Sequence, residues 1–268
     1  MSFERPFEFT KENVDTYLKA VAKEYRRRVG KNMPAELILV GGASVLINYG
    51  FRQATTDIDA VIEAASSMKD AVNCVRDQYG LPNGWLNADF QRTESFSPKL
   101  AEFSIYYKTF SNVVTIRTIS AEYLIAMKLR AGREYKNDLS DVLGILAAHE
   151  KRGTPISIAQ IQRAVSDLYG NWEILSVASK SFIINVINNG HFEELYKQVT
   201  DSEQAMKEFL MQYEQEHPGA LTESNVGAIA GALQEKTDRT AILARLKKMQ
   251  NEGQQLKRIK GKSQKPER

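Results

Sequence analysis

The feature that most constrains the fold is a pair of short apolar runs on either side of a Gly-Gly dipeptide. The first run is ELILV (36–40), and Gly41 and Gly42 follow it at once. ASVLINYG (43–50) has the length of a short helix closed by Gly50, and IDAVI (58–62) is the second apolar run. Short apolar runs bounded by turn residues are typical of buried strands. The segment therefore predicts a strand, a turn, a short helix and a second strand of one sheet.

The flanking segments extend this alternation of strands and helices. Helical spacing of apolar residues predicts a helix over 11–29, with Thr10 as its N-cap, and another over 67–80. Two β-rich segments, 102–110 and 112–119, are joined by a Ser-Asn hairpin turn. Beyond Ser120 we predict helices throughout, at 121–132, 137–153, 157–169, 172–188, 191–199, 201–216 and within 222–258.

These elements predict an α+β fold, in which a mixed β-sheet flanked by helices is followed by a helical C-terminal region. We divide the chain into an α+β core (1–119), a helical domain (120–258) and a disordered basic tail (259–268). The formal net charge is +3, yet residues 239–268 hold ten Lys and Arg against two Glu. Such a tail contacts RNA, DNA or an acidic partner, or is a solvated terminus without a ligand.

The composition excludes several classes of protein. A single cysteine, Cys74, excludes an internal disulfide framework, and the three histidines are too scattered for a zinc site. No apolar run approaches the ~20 residues that a membrane helix needs, and the first ten residues have no signal-peptide core. We therefore expect a cytoplasmic protein with no membrane partner.

Two acids, Asp57 and Asp59, stand at the start of the second apolar run. On a strand, residues i and i+2 project from one face about 7 Å apart, and two carboxylates at that separation repel each other by roughly 2 kcal/mol at an effective dielectric of ~20. Bound Mg²⁺ relieves this repulsion in enzymes that transfer phosphoryl or nucleotidyl groups. Alternatively, Asp57 ends a loop and caps a neighbouring group while Asp59 faces solvent.

The Gly-Gly dipeptide suits the approach of a phosphate group. Glycine lets an anion come close to the backbone, the first N–H groups of the following helix attract it, and Ser44 adds a hydroxyl. For a Gly-Gly pair alone, an ordinary left-handed turn is the alternative. Fourteen residues separate Gly42 from Asp57, enough for one short helix and a returning strand. This spacing brings the phosphate and metal positions to the same edge of adjacent strands.

VGGASVLINYGFRQATTDIDAVI (40–62) resembles the core signature of the DNA polymerase β-type nucleotidyltransferase superfamily. The form RQATTDID (52–59) is similar to the AbiEii branch, the toxin-like nucleotidyltransferases of bacterial toxin–antitoxin and phage-defence loci, and to its uncharacterised relatives. WLN (85–87) and LIAMKLRAGREYKNDLSDVLGIL (124–146) also resemble this branch. The resemblance covers roughly residues 36–150.

The resemblance implies a nucleotidyltransferase-type mixed sheet, Mg²⁺ as cofactor, and transfer of a nucleotide from a nucleoside triphosphate to an RNA (tRNA included) or protein acceptor. It also implies an antitoxin protein as a partner. By match, Asp57 and Asp59 bind metal and align the α-phosphate, while Lys128 and Asp138 assist catalysis. The residues expected to contact the nucleotide are Gly41, Gly42, Ser44 and Arg52.

The assisting residues have simpler explanations as well. Lys128 either extends from its apolar run into solvent or holds the triphosphate. Asp138 and Asp141 lie one helical turn apart, and the simpler explanation is that at least one of them caps the start of its helix. Arg52 pairs with Asp57 or Asp59, or braces its loop.

The expectations for the other residues near the motifs concern a loop, the core and a third catalytic acid. Arg133 and Lys136, between two predicted helices, either meet phosphates or are solvated loop charges. Trp85 is expected to be a core or loop anchor. Many nucleotidyltransferases carry a third catalytic acid on a neighbouring strand, and NVVTIRTI (112–119) has none, so Glu102 on the preceding strand is the remaining candidate.

Three functions are therefore open at this point. The first is an Mg²⁺-dependent nucleotidyltransferase of the toxin-like branch. The second is a catalytically degenerate protein of the same fold that binds nucleotide or RNA, which the missing third acid favours. The third is a nucleic-acid-binding accessory protein built around the basic tail.

Overall fold

A computed structural model describes residues 7–133, 136–222 and 225–234 of the chain. The strands in this part are β1 (Phe9–Thr10), β2 (Ala35–Leu39), β3 (Ala54–Thr55), β4 (Ile58–Glu63), β5 (Leu86–Asn87), β6 (Ser104–Phe110) and β7 (Val114–Ile119). The α-helices in the same part are α1 (Val14–Val29), α2 (Gly41–Asn48), α3 (Ser67–Tyr79), α4 (Ala121–Ala131), α5 (Asp138–Lys151), α6 (Ile158–Tyr169), α7 (Val177–Asn189), α8 (Phe192–Glu216) and α9 (Val226–Gln234).

The main sheet has five strands in the order β5-β4-β2-β7-β6. Strand β2 is antiparallel to β4 and parallel to β7, and β6 and β7 form an antiparallel hairpin. Ser111 and Asn112 turn this hairpin with positive φ values of 53° and 52°, as their sequence predicts. The predicted fold class, a mixed sheet flanked by helices with a helical C-terminal region, is confirmed.

Alternation along the strands gives the sheet two buried faces. Leu37, Leu39, Ile58 and Ala60 pack on the face that α1 and α3 cover. Ile38 and Val40 point to the other face, where α4, α5, α6, α7 and α8 build the larger core. Helix α4 has buried residues all around its axis, and it is therefore the central helix of that larger core.

The topology brings several chain segments to one edge of the sheet. Strand β2 ends at Leu39 and its antiparallel neighbour β4 begins at Ile58, so the start of α2 lies beside the start of β4. The backbone N–H of Val40 donates to the carbonyl of Asp59 (2.9 Å), which extends this pairing by one step. The Gly-Gly turn and the two acids are therefore neighbours.

Two predicted boundaries in the N-terminal half are wrong. Helix α1 begins at Val14 with Asn13 as N-cap, because Thr10 pairs with Ala54 in the small β1–β3 sheet. Helix α2 includes both glycines and ends at Asn48, and the extended backbone of Tyr49 precedes Gly50.

Two boundaries in the C-terminal half also differ. Helix α7 begins at Val177 because the hydroxyl of Ser176 accepts from the N–H of Ser179, and residues 172–174 form a separate 3-10 turn. The predicted helices 191–199 and 201–216 are one helix, α8, whose buried side packs along α5. Of the predicted segment 222–258, the structure describes α9, and the tail 259–268 lies outside the described residues. The domain division at 119/120 stays a prediction.

None of the described helices combines the length and apolarity that crossing a bilayer requires.

Candidate functional site

The Gly-Gly turn and Asp59 meet at the edge of the sheet. Gly41 adopts a positive φ of 55°, and a Cβ added there would lie 3.7 Å from Oδ2 of Asp59. Gly41 is also the first residue of α2, and the first N–H groups of a helix have no acceptor within it. The structure therefore brings donor N–H groups and a carboxylate to one place.

The two acids differ in exposure. Asp57 is exposed just before β4, whereas Asp59 is half-buried on the strand. Burial first, and then the charge of Asp57, raise the pKa of Asp59 to about 6, while the charges of Lys136 and Arg133 lower it. Asp57, Lys136 and Arg133 therefore all act electrostatically on Asp59. The neighbour Ile58 is fully buried against the opposite core.

Asn87 completes the surroundings of Asp59. Strand β5 pairs with β4 so that Asn87 stands directly opposite Asp59, and its side-chain hydrogen bond lowers the pKa of that acid. The Asn87 amide also donates to the carbonyl of Gly84 (3.0 Å) and accepts from the N–H of Asp89 (2.8 Å). An amide therefore occupies the strand position beside the two acids. Glu102 is exposed in a 3-10 turn before β6, at the other side of the sheet, and not on a strand as predicted.

The donor set suits Mg²⁺ held together with a nucleotide. Among the described residues, no group of three or more His, Cys, Asp or Glu side chains is placed to hold a metal ion. Mg²⁺ is commonly bound by one or two carboxylates, with waters and substrate phosphates as its other ligands. Asp57 and Asp59 fit that requirement, whereas an all-protein metal cage does not fit this site.

Gly42 gives Arg52 room to cross the start of α2. A Cβ on Gly42 would lie 2.7 Å from Oγ1 of Thr55 and 2.8 Å from Nη2 of Arg52. The guanidinium of Arg52 passes this point to reach Asp141, to whose two oxygens Nη1 donates at 2.9 and 2.7 Å. Arg52 therefore pairs with Asp141, and not with Asp57 or Asp59.

Gly42→Ala is expected to displace Arg52 from Asp141, because Thr55 and Arg52 leave no space for a methyl group. Forced overpacking of this kind costs about 1–3 kcal/mol of unfolding free energy. Gly50→Ala is the matched control, since a Cβ there meets no described atom within 4 Å. Urea unfolding of both variants measures the difference, and equal stability of the two would contradict the close packing at Gly42.

Arg52 and Asp141 belong to a buried ion cluster, which we define as Arg52, Lys128, Arg133, Asp138 and Asp141. The ammonium of Lys128 lies 2.9 Å from Oδ1 of Asp138 and 2.7 Å from Oδ2 of Asp141. Nε of Arg133 donates to Oδ2 of Asp138 at 2.9 Å. The side chains of Asp138 and Asp141 are 0% and 3% exposed, so both acids of the cluster are deeply buried, whereas Arg133 is 35% exposed.

The pKa values within the cluster reflect these contacts. Burial alone would raise the pKa of Asp138, but Lys128 and Arg133 lower it to about 2. Burial alone would lower the pKa of Lys128, but Asp138 and Asp141 raise it above its ordinary value. Of the two alternatives for Lys128, extension into solvent is wrong, because its side chain is 9% exposed and both nearby carboxylates hold it.

Arg133 connects the ion cluster with the sheet edge. Asp138 accepts from the backbone N–H of Arg133 (3.2 Å) as well as from its guanidinium. The charge of Arg133 also acts on Asp59. By binding Arg133, Asp138 therefore holds this cation where it acts on Asp59. Lys136, exposed on the same α4–α5 connection, is the second cation that acts on Asp59.

Two other expected residues have structural contacts. Ser44 is fully buried, and its hydroxyl accepts from the N–H of Ile119 (3.0 Å), so it joins α2 to the end of β7. Trp85, predicted to be a core or loop anchor, lies in the core: it is 1% exposed, stacks on Phe9 and donates to the carbonyl of Val72.

The sequence did not indicate the contact that Glu203 makes with the start of α5, and it assigned no separate role to Asn87. Glu203 on α8 accepts from the backbone at the start of α5, and a glutamate within a helix carries no local sign of such a contact. Asn87 is part of the WLN motif, and the pairing of β5 with β4 is what reveals its place beside Asp59.

A family model described as a nucleotidyltransferase of unknown function (DUF6036) matches residues 16–148, about half of the chain. Comparisons with curated proteins and with solved structures gave no significant match. The matched segment contains the Gly-Gly turn, the two acids and the whole ion cluster. Residues 16–148 are therefore similar to a nucleotidyltransferase family, and this supports a general nucleotidyl-transfer role for the segment that holds the site.

Proposed function

We propose that this chain is an Mg²⁺-dependent nucleotidyltransferase that moves a nucleotide from a nucleoside triphosphate to an RNA (tRNA included) or protein acceptor. The observation that carries the proposal is the meeting of Gly41 and Asp59, where the first turn of α2 lies beside a half-buried carboxylate. The family match over residues 16–148 supports the same chemistry.

In this proposal the first turn of α2 receives the phosphates of the nucleotide at Gly41 and Gly42. Asp57 and Asp59 hold Mg²⁺, which when bound neutralises phosphate charge. The acceptor hydroxyl forms a bond to the α-phosphorus and gives up its proton to water, while the bond to pyrophosphate breaks and pyrophosphate leaves. Arg133 and Lys136 supply positive charge beside the phosphates.

The ion cluster has a positioning role in this proposal. Lys128 and Asp138 touch each other in the core, and Asp138 in turn holds Arg133 toward Asp59. Arg52 fixes the loop that follows α2 by binding both Asp141 and the carbonyl of Ala54. Lys128, Asp138 and Arg52 therefore shape the site without extending into it, and Arg133 is the member of the cluster that acts on Asp59.

We assign the chain to the toxin-like AbiEii branch on the form of residues 52–59, with a cytoplasmic antitoxin protein as partner. This biological role is inferred by analogy with that branch, since a fold alone does not determine function. The chemical class depends on the site alone and is tested separately.

Lys136→Gln is expected to raise KM for the nucleoside triphosphate roughly threefold to tenfold, because it removes a positive charge beside the phosphates. The melting temperature should not change, since Lys136 is exposed. Lys19→Gln, an exposed lysine on α1 at the opposite face of the sheet, is the control. Equal KM values for the two variants would remove Lys136 from the site.

A catalytically degenerate nucleotide-binding protein of the same fold is the second candidate. The observation that favours it is the amide of Asn87 at the strand position opposite Asp59, together with the lack of a three-acid group among the described residues. Such a protein would bind nucleotide without transferring it.

One experiment separates the two candidates. The wild-type chain is incubated with each of the four α-labelled nucleoside triphosphates, Mg²⁺, and total RNA or cell protein. Label that becomes attached to an acceptor and requires Mg²⁺ supports the transferase. Nucleotide binding without transfer to any acceptor supports the degenerate protein.

A further inference from the structure

Glu203, on helix α8 and outside the family match, caps the helix that carries two acids of the ion cluster. Its Oε1 accepts from the backbone N–H groups of Leu139 and Ser140, both at 3.2 Å. These N–H groups belong to the first turn of α5, where a helix has no internal acceptors for them. Glu203 is 5% exposed, so this capping contact is made in the core.

The surroundings of Glu203 are rich in charge. Burial first, and then Asp141 and Asp138, raise its pKa to about 7, against the hydrogen bonds from Ser140. Its Oε2 is buried and has no hydrogen-bond partner among the described residues. The titratable groups that interact with Glu203 are Asp138 and Asp141 of α5 and Tyr196 and Lys207 of α8. Lys128 of α4 and Arg52 of the loop after α2 act in turn on Lys207.

Lys207 is held beside the same helix start. Its ammonium donates to the side-chain carbonyl of Asn137, the N-cap residue of α5. Two residues of α8, one turn apart, therefore contact the beginning of α5. Because α5 and α8 also pack against each other along their length, the position of this first turn depends on α8.

We propose that Glu203 is a positioning residue for the nucleotide site: by capping α5 it fixes Asp138 and Asp141, and thereby the cations that these acids hold. The inference builds on the proposed nucleotidyl transfer. Asp138 orients Arg133 toward Asp59, and Asp141 anchors Arg52 over Gly42. Helix α8, which lies outside residues 16–148, thus helps to position the residues of the site.

The test compares full-length Glu203→Ala and Glu203→Gln with Glu208→Gln, an exposed residue of the same helix that pairs with Gln204. KM for the Mg²⁺–nucleoside triphosphate and kcat are measured at a temperature at which every variant is folded. Glu203→Ala is expected to raise KM about tenfold or more with a smaller change in kcat, because it removes the acceptor at α5. Glu203→Gln keeps an accepting oxygen and should restore KM to within about threefold.

Thermal melting over pH 5–8 provides a second readout that does not need activity. The pKa of Glu203 is raised by folding, so the folded state keeps a proton that the unfolded state loses above its ordinary pKa of 4.5. The free energy of unfolding that protonated Glu203 contributes is therefore lost as pH rises from about 4.5 to about 7. Relative to Glu203→Gln, the wild type should lose roughly 5 °C in melting temperature between pH 5 and pH 8.

The outcomes distinguish this inference from the proposed function. A wild type that binds no nucleoside triphosphate overturns both. A wild type that binds and transfers, with an unchanged KM in Glu203→Ala, overturns the positioning role alone. A lower melting temperature of Glu203→Ala with unchanged KM also overturns it, because that result describes a residue that only stabilises the fold.

Discussion

Asp59→Asn is expected to lower the rate of nucleotide transfer by about a thousandfold or more. The substitution keeps the shape of the side chain but removes the charge that binds Mg²⁺, and metal neutralisation of the transition-state charge supplies several kcal/mol. Since each 1.4 kcal/mol is a factor of ten in rate, a loss of about 4 kcal/mol corresponds to a thousandfold. Asp57→Asn should have an effect of similar size.

The same variant should remain folded. Burial and the charge of Asp57 disfavour the ionised form of Asp59, so a neutral amide relieves a repulsion of roughly 2 kcal/mol. The melting temperature should therefore stay the same or rise. Asp70→Asn, an exposed acid on α3, is the control and should change neither quantity. If Asp59→Asn unfolds the chain, the acid is structural and the catalytic interpretation fails.

Lys128→Met is expected to lower the free energy of unfolding by about 3–5 kcal/mol. It removes the cation that contacts both Asp138 and Asp141. These two buried carboxylates then lack one of the positive charges that balance them. Apolar burial of the methionine side chain offsets part of this loss and does not restore the charge balance. Urea unfolding followed by circular dichroism measures the change.

Lys108→Met is the matched control for this experiment. Lys108 pairs with Asp15 at 2.6 Å, but their side chains are 50% and 29% exposed. A pair with this exposure contributes about 0–1 kcal/mol. If Lys128→Met costs no more than Lys108→Met, the cluster does not depend on Lys128 for its balance of charge.

The parts of the fold that sequence predicts well are those that local patterns determine. The Gly-Gly turn between two apolar runs, the Ser-Asn hairpin and the helix stopped by Gly80 are each specified by residues close in the chain. The wrong boundaries arise where tertiary contacts decide. Thr10 pairs with a distant strand, and α8 continues through polar residues 200–202 because its buried side packs on α5.

The candidate site is predictable in part for the same reason. The spacing of the Gly-Gly turn and the Asp-x-Asp predicts that both lie at one sheet edge, and the structure brings Gly41 and Asp59 together there. The partner of Arg52 is 89 residues away, and no local pattern identifies it. Helix α4 is apolar on all sides, so helical periodicity alone does not tell which way Lys128 points.

The most direct test of the account is a crystal structure of the chain with Mg²⁺ and a non-hydrolysable nucleoside triphosphate analogue. We expect metal bound by Asp57 and Asp59, with the phosphates against Gly41 and Gly42 on the side of Lys136. A nucleotide bound at another surface, with both acids free of metal, would contradict it.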